Sequence, residues 1–187
     1  MKVNWDSVIK VMWEYVKIIV FSFIFVFVLT TFIVRPVKVN GPSMYPTLVS
    51  GQLGFTNILS LKITEIDRFD VVVADMNNGD NQIVKRVIGL PNEEIEYKKG
   101  KLYINGVYIE ENFFDQDYVL SEIQYEADNL FTKDFGPIIL GDDEYFLLGD
   151  NRLHSTDSRM FGAFKLSDIT SKSIYVWFPF DQMRIVN

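Results

Sequence analysis

A mainly β protein carried behind a single apolar N-terminal helix is the fold that this sequence predicts. Three observations predict it. An uncharged apolar run lies close to the N-terminus, a series of short apolar runs bounded by turn residues follows it, and one of these runs carries an Asn-Gly hairpin signature. The 187 residues leave room for one sizeable domain and a minor subdomain.

The run from Ile18 to Val34 holds seventeen residues without a charge, five of them Phe. At a helical rise of about 1.5 Å per residue it is roughly 25 Å long, a slightly short membrane span. Val11 to Lys17 extend it, with Glu14 and Lys17 at headgroup depth, where long side chains snorkel. A buried core helix would show a polar face over such a length. A cleaved signal peptide would leave through small residues, whereas this run leaves through Thr31-Phe-Ile-Val-Arg-Pro36. The expectation is therefore an uncleaved transmembrane anchor over residues 11–34, after a short cytoplasmic segment 1–10. Lys2, Lys10 and Lys17 before the span, against Arg35 and Lys38 after it, favour a cytoplasmic N-terminus and an extracytoplasmic domain 35–187.

Beyond the anchor, Val37–Asn40 and Gln52–Thr56 read as short strands on either side of a Ser43 loop. Phe69–Asp75 is an apolar run of the kind buried strands have, Asn77–Asn81 is a turn cluster, and Gln82–Ile88 returns as the next strand. Leu102–Ile109 is a hairpin whose Asn105-Gly106 suits a type I′ turn. Residues 110–140 are rich in acids, amides and aromatics and read as irregular, within a small inserted or peripheral subdomain of about 93–143. Asp143–Leu148 and Ser173–Phe178 read as further strands, with a helical turn at Leu166–Thr170. The expected whole is a curled antiparallel or mixed β core.

The formal net charge is −7; residues 1–34 carry +1 and the remainder −8. That balance argues against nucleic acid as a partner. With no cysteine, disulfides, thiolate zinc sites and thiol catalysis are all excluded. No metal or organic cofactor is expected: Asp75-Met-Asn-Asn-Gly-Asp80 resembles a calcium loop only superficially, its glycine misplaced and no glutamate closing it.

Three short motifs carry chemistry. In Gly41-Pro-Ser-Met-Tyr-Pro-Thr-Leu48, Gly41 frees the backbone and lets a substrate carbonyl approach, while Pro42 and Pro46 restrict the loop around the Ser43 hydroxyl and nearby N–H groups. In Val84-Lys-Arg-Val-Ile-Gly-Leu-Pro-Asn92, strand alternation sets Ile83, Lys85 and Val87 on one face and Val84, Arg86 and Ile88 on the other. An amine sharing a face with β-branched apolar residues is desolvated, its pKa falls, and it becomes a general base for a serine. In Gly149-Asp-Asn-Arg-Leu-His-Ser-Thr-Asp-Ser-Arg159, Ser155 is a hydroxyl able to orient that amine, and Asp157 and Arg159, two apart, share a face if the segment is a strand and can pair there or brace neighbouring backbone. His154, the one histidine, points away if Ser155 faces Lys85, so a Ser43/His154/Asp triad is the weaker arrangement. Trp177-Phe-Pro-Phe180 and Met183 read as core, or, with Met44, as an apolar surface for lipid or a signal sequence.

Taken in this order, the motifs resemble those of the bacterial type I signal peptidases, the Gram-positive-like branch of the Ser/Lys leader peptidases, from about Val34 to Asp181. The resemblance implies Ser43 as nucleophile and Lys85 as general base, with Gly41, Ser155, Asp157 and Arg159 in oxyanion or supporting roles. It implies a membrane-anchored endopeptidase acting on exported preproteins with small residues at −1 and −3, near the secretion translocon. Two departures stand out: Gly41 occupies a position where many relatives have a small hydroxyl residue, and Gly89-Leu-Pro-Asn-Glu93 replaces Gly-x-Pro-Gly-Asp. Asparagine tolerates left-handed backbone, so the turn is expected to persist. The competing expectations are a self-cleaving repressor-type Ser/Lys protease and an inactive membrane-tethered β module that binds exported proteins.

Overall fold

The computed structural model describes residues 5–76 and 81–187; the Asn77–Asn81 turn and the Asp75–Asp80 loop fall largely outside the described residues. Helix α1 (Trp5–Phe32) starts six residues earlier than the expected span. Its stretch Val8–Phe32 has a mean hydropathy of 2.3 and none of it is buried, so it is long and apolar enough to cross a membrane. Apolar side chains cover it all round, which suits lipid and not water. A Lys17–Glu14 pair 2.8 Å apart is set one turn apart on its surface.

The chain passes straight from α1 into β1 (Val34–Lys38), then β2 (Leu53–Asn57), a single turn of helix α2 (Ser60–Ile63), β3 (Val71–Met76) and β4 (Asn81–Gly89). There follow β5 (Glu94–Lys98), β6 (Lys101–Ile104), β7 (Val107–Ile109), α3 (Gln116–Ile123) and β8 (Phe135–Ile139). The chain ends with β9 (Glu144–Leu148), the short helix α4 (Ser158–Phe161), β10 (Phe164–Lys165), β11 (Ile169–Phe178) and β12 (Arg184–Val186). The fold is mainly β. The larger sheet runs β1-β2-β11-β3-β4-β9-β10 with β12 beside β11, and the smaller runs β7-β6-β5-β8. Neither closes into a barrel, and every pairing among the described residues is antiparallel, so no mixed sheet is formed.

Local chemistry accounts for several joints. Asn105 and Gly106 have φ of 50° and 76°, the pair of positive values a type I′ hairpin requires. Asn92 sits at φ 64°, so the turn after β4 persists with asparagine in the left-handed position. The segment 110–140 is more ordered than its composition suggested. The Asp115 carboxylate caps α3 by accepting from the Asp117 and Tyr118 N–H groups, and Phe135–Ile139 pairs with β5.

Three apolar clusters make the core. Val72, Ala74, Val87 and Leu147 pack one face of the larger sheet, joined by Ile83. Val71, Met44, Leu48, Ile174 and Val176 pack the other, joined by Val84. Ile88, Leu148, Ile95, Tyr97 and Leu102 join the two sheets. The separation of Ile83 and Val87 from Val84 and Ile88 is the alternation expected of β4.

Candidate active site

Ser43 lies in the loop between β1 and β2, which is anchored from below. Met44 and Leu48 are essentially fully buried, while Ser43 itself is half-buried. Backbone bonds from Tyr45 N–H to the Pro42 carbonyl (3.0 Å) and from Leu48 N–H to the Met44 carbonyl (2.8 Å) curl the loop tightly. Gly41 adopts φ 84°, and a Cβ there would meet no atom within 4 Å, so the conformation, not crowding, asks for glycine. The Gly41 N–H is engaged by Ser50 Oγ at 3.2 Å. The Ser43 N–H has no acceptor among the described residues, as a donor to an oxyanion requires.

Lys85 sits mid-strand on β4, across from the fully buried Val72, and is itself only 3% exposed. Its Nζ lies 2.8 Å from Ser43 Oγ. No carboxylate comes within ion-pair distance of it among the described residues. Burial lowers the Lys85 pKa from 10.5 to about 8; the fields of Asp157 and Asp150 oppose the fall, and that of Arg159 adds to it. The amine is thus accessible in its neutral form near neutral pH, within reach of the hydroxyl it would deprotonate.

The next residue, Arg86, faces the opposite way. Its guanidinium grips both Asp150 oxygens (2.8 and 2.7 Å), donates to the Phe69 and Asn187 carbonyls, and lies over the Phe113 ring. Sequence reasoning gave Arg86 no role, although alternation alone turns it away from Lys85.

The third motif begins at the end of β9 and wraps the dyad. Asn151 holds the Ser43 loop with two bonds, from its N–H to the Ser43 carbonyl (3.0 Å) and from Nδ2 to the Pro42 carbonyl (3.3 Å). Gly149 packs so closely that a Cβ would overlap the Ser43 carbonyl and the Ser155 side chain. Ser155 is therefore beside the dyad, but its buried Oγ makes no hydrogen bond among the described residues, and the expected bond to Lys85 is not formed. Asp157 and Arg159 do pair, through two bonds of 2.8 Å, on the first turn of α4 and not on a strand as expected. Burial opposes the charge on Asp157, yet Arg159 and the Gly149 N–H (3.0 Å) hold its carboxyl below the usual range. His154 is exposed, its Nε2 3.6 Å from Glu122 of α3, and it forms no bond to Ser43. Among the described residues no cluster of potential metal ligands occurs.

A cleft of about 430 Å³ leads to Ser43 and Lys85, walled by residues 36–40 of the β1 segment and 81–85 of β4, with Val73 between them. β9 pairs with β4 only from Arg86 onward, so residues 81–85 present one free strand edge to this cleft. β1 is the outer strand of the sheet and presents another.

A serine hydroxyl held against a buried lysine, on a β scaffold behind an apolar helix, defines a Ser/Lys hydrolase class. The family described as "Signal peptidase, peptidase S26" matches residues 12–178, and the chain belongs to it. It is 40% identical over 175 residues to signal peptidase I S of Bacillus subtilis, spanning 93% of each chain. It is 32% identical over 180 residues to signal peptidase IB of Staphylococcus aureus, spanning 94% of each. A solved signal peptidase I from Enterococcus faecalis V583 is 33% identical, covering 58% of this chain and 97% of that one, with a TM-score of 0.48.

Proposed function

We propose that the chain is a membrane-anchored serine endopeptidase that removes N-terminal signal peptides from exported preproteins. One observation carries the reading: a buried, carboxylate-free lysine amine sits 2.8 Å from a serine hydroxyl at the end of an open cleft. Neutral Lys85 takes the Ser43 proton as Oγ attacks the scissile carbonyl, then returns it to the leaving amine. The Ser43 N–H faces the developing oxyanion. Water activated by Lys85 releases the acyl group from Ser43. Ser155, whose buried hydroxyl lacks a partner beside the dyad, is assigned the bond that orients the amine during turnover. Asp157 and Arg159 brace the loop that carries it.

The substrate lies extended between the free edges of β1 and β4, where main-chain bonds give affinity and side-chain pockets give specificity. Small residues at −1 and −3 fit a segment pressed against Val73 and Met44. α1 crosses the membrane with the N-terminus cytoplasmic, near the secretion translocon. The exposed apolar side chains Tyr175, Phe178, Phe180, Met183 and Ile185 rest on lipid beside it. An inactive tethered module would have no use for a buried lysine, which costs stability unless its neutral form is wanted.

Cleavage of an Ala-x-Ala preprotein in detergent or vesicles tests the reading. The intact chain should cut at one site, and Ser43→Ala and Lys85→Ala should each cut at least about a thousandfold more slowly while remaining folded. Cleavage that survives Lys85→Ala removes the lysine as base.

A further inference from the structure

Arg152 is fully buried, and every partner of its guanidinium but one comes from the segment that builds the smaller sheet. One Nη donates to Tyr97 Oη (2.8 Å) and Thr132 Oγ1 (2.9 Å), and the other to Glu111 Oε1 (2.6 Å). The Tyr97 hydroxyl also donates to Glu111 Oε1, at 2.8 Å. The remaining donor, Nε, reaches the Gly149 carbonyl at 3.0 Å. Gly149 lies between residues that flank the Ser43–Lys85 pair: its N–H is held by Asp157, and a Cβ there would overlap the Ser43 carbonyl and Ser155.

Burying an arginine–glutamate pair is costly, and apolar side chains would seal a junction between two sheets at least as well. Phe113, Phe114 and Phe131 already pack there. What the ion pair adds is direction, because a planar guanidinium fixes its acceptors in one geometry. A second contact runs the same way: Tyr118 of α3 stands edge-on to Tyr45, two residues beyond Ser43, with ring centroids 5.1 Å apart.

We infer that Glu111 is a positioning residue for the Ser43–Lys85 pair: through Arg152 it holds Gly149, and with it the Ser43 carbonyl and Asp157, in register with β4. The inference rests on Ser43 and Lys85 being the reacting pair, but not on which peptide is cut.

The test uses the full chain in detergent with two readouts per folded molecule. One is preprotein cleavage; the other is acylation of Ser43 by a small p-nitrophenyl ester, which does not need the substrate cleft. Glu111→Gln should lower kcat and the acylation rate by the same factor, about tenfold or more, with KM within about twofold. Glu110→Gln, at the exposed neighbour, should change neither. A Glu111→Gln protein that keeps the wild-type acylation rate and only unfolds more easily overturns the inference. If Glu111→Gln does not fold, Tyr97→Phe and Thr132→Val each remove one acceptor from Arg152, and wild-type acylation in both overturns it equally. A wild-type chain that leaves the preprotein intact but is acylated at a Lys85-dependent rate refutes the substrate reading alone, and the acylation series still decides the role of Glu111. Acylation of Ser43 that ignores Lys85 overturns both.

Discussion

Lys85 carries two opposite consequences of one burial. Because its amine is held at about 8, the fraction of neutral base falls about tenfold for each pH unit below that value. The expected kcat/KM for preprotein cleavage rises about tenfold from pH 6 to 7 and levels above about pH 8; a flat profile from 6 to 9 would exclude Lys85 as the base. The same shift sets a stability cost. The unfolded lysine, at 10.5, binds its proton more tightly than the folded one, so stability rises as pH climbs from about 8 to 10.5. Below pH 8 the cost is fully present, on the order of 3 kcal/mol. Lys85→Met should accordingly be inactive yet more stable than the parent in urea at pH 7, with the difference shrinking by pH 10. Arg86, one residue on, is the reverse case: its charge is fully partnered by Asp150, so its burial is supported where that of Lys85 is not.

Elements position these residues by contact between loops as well as by bonds within the Ser43 loop. β4 sends Lys85 and Arg86 to opposite sides, and the loop after β9 meets both, Asp150 on the Arg86 side and Asn151 on the Ser43 loop. One close approach is at Gly149, where a side chain would collide with the Ser43 carbonyl, a backbone atom already held by the Asn151 N–H. Gly149→Ala should therefore lower kcat at least about tenfold by pushing the nucleophile loop off the lysine strand. Gly106→Ala, at a hairpin tip where a Cβ meets nothing within 4 Å, should cost about 1 kcal/mol through its positive φ and leave turnover unchanged. Thermal melts and cleavage rates on the two variants separate the effects. α3 and its Asp115 cap were not legible in an irregular, acid-rich segment, because eight residues of weak periodicity do not outweigh composition.

On the scale of the molecule, the dyad sits where the larger sheet leaves two strand edges free and where the smaller sheet braces the loop after β9. The long apolar helix, none of it buried, is joined to the rest through β1. The amino-acid sequence by itself determined the apolar helix, the type I′ hairpin at Asn105-Gly106, the left-handed Asn92 and the opposed faces of Lys85 and Arg86, since all of these follow from period and backbone preference within a few residues. It also supplied the proposed nucleophile and base as types, Ser43 and Lys85, and set Asp157 two positions from Arg159, although they pair at the start of a helix and not across the face of a strand. Only the tertiary structure decided that Ser43 and Lys85, 42 positions apart, meet at 2.8 Å. It alone lowered the pKa of the amine, because the desolvation comes from strands that pair across the chain. It alone gave Arg152 partners 20, 41 and 55 positions distant, joined Asn151 to Pro42 across 109, and left Ser155 beside the dyad without a bond. Such contacts depend on which strands lie side by side, and pairing order is a property of the packed whole that no local pattern encodes.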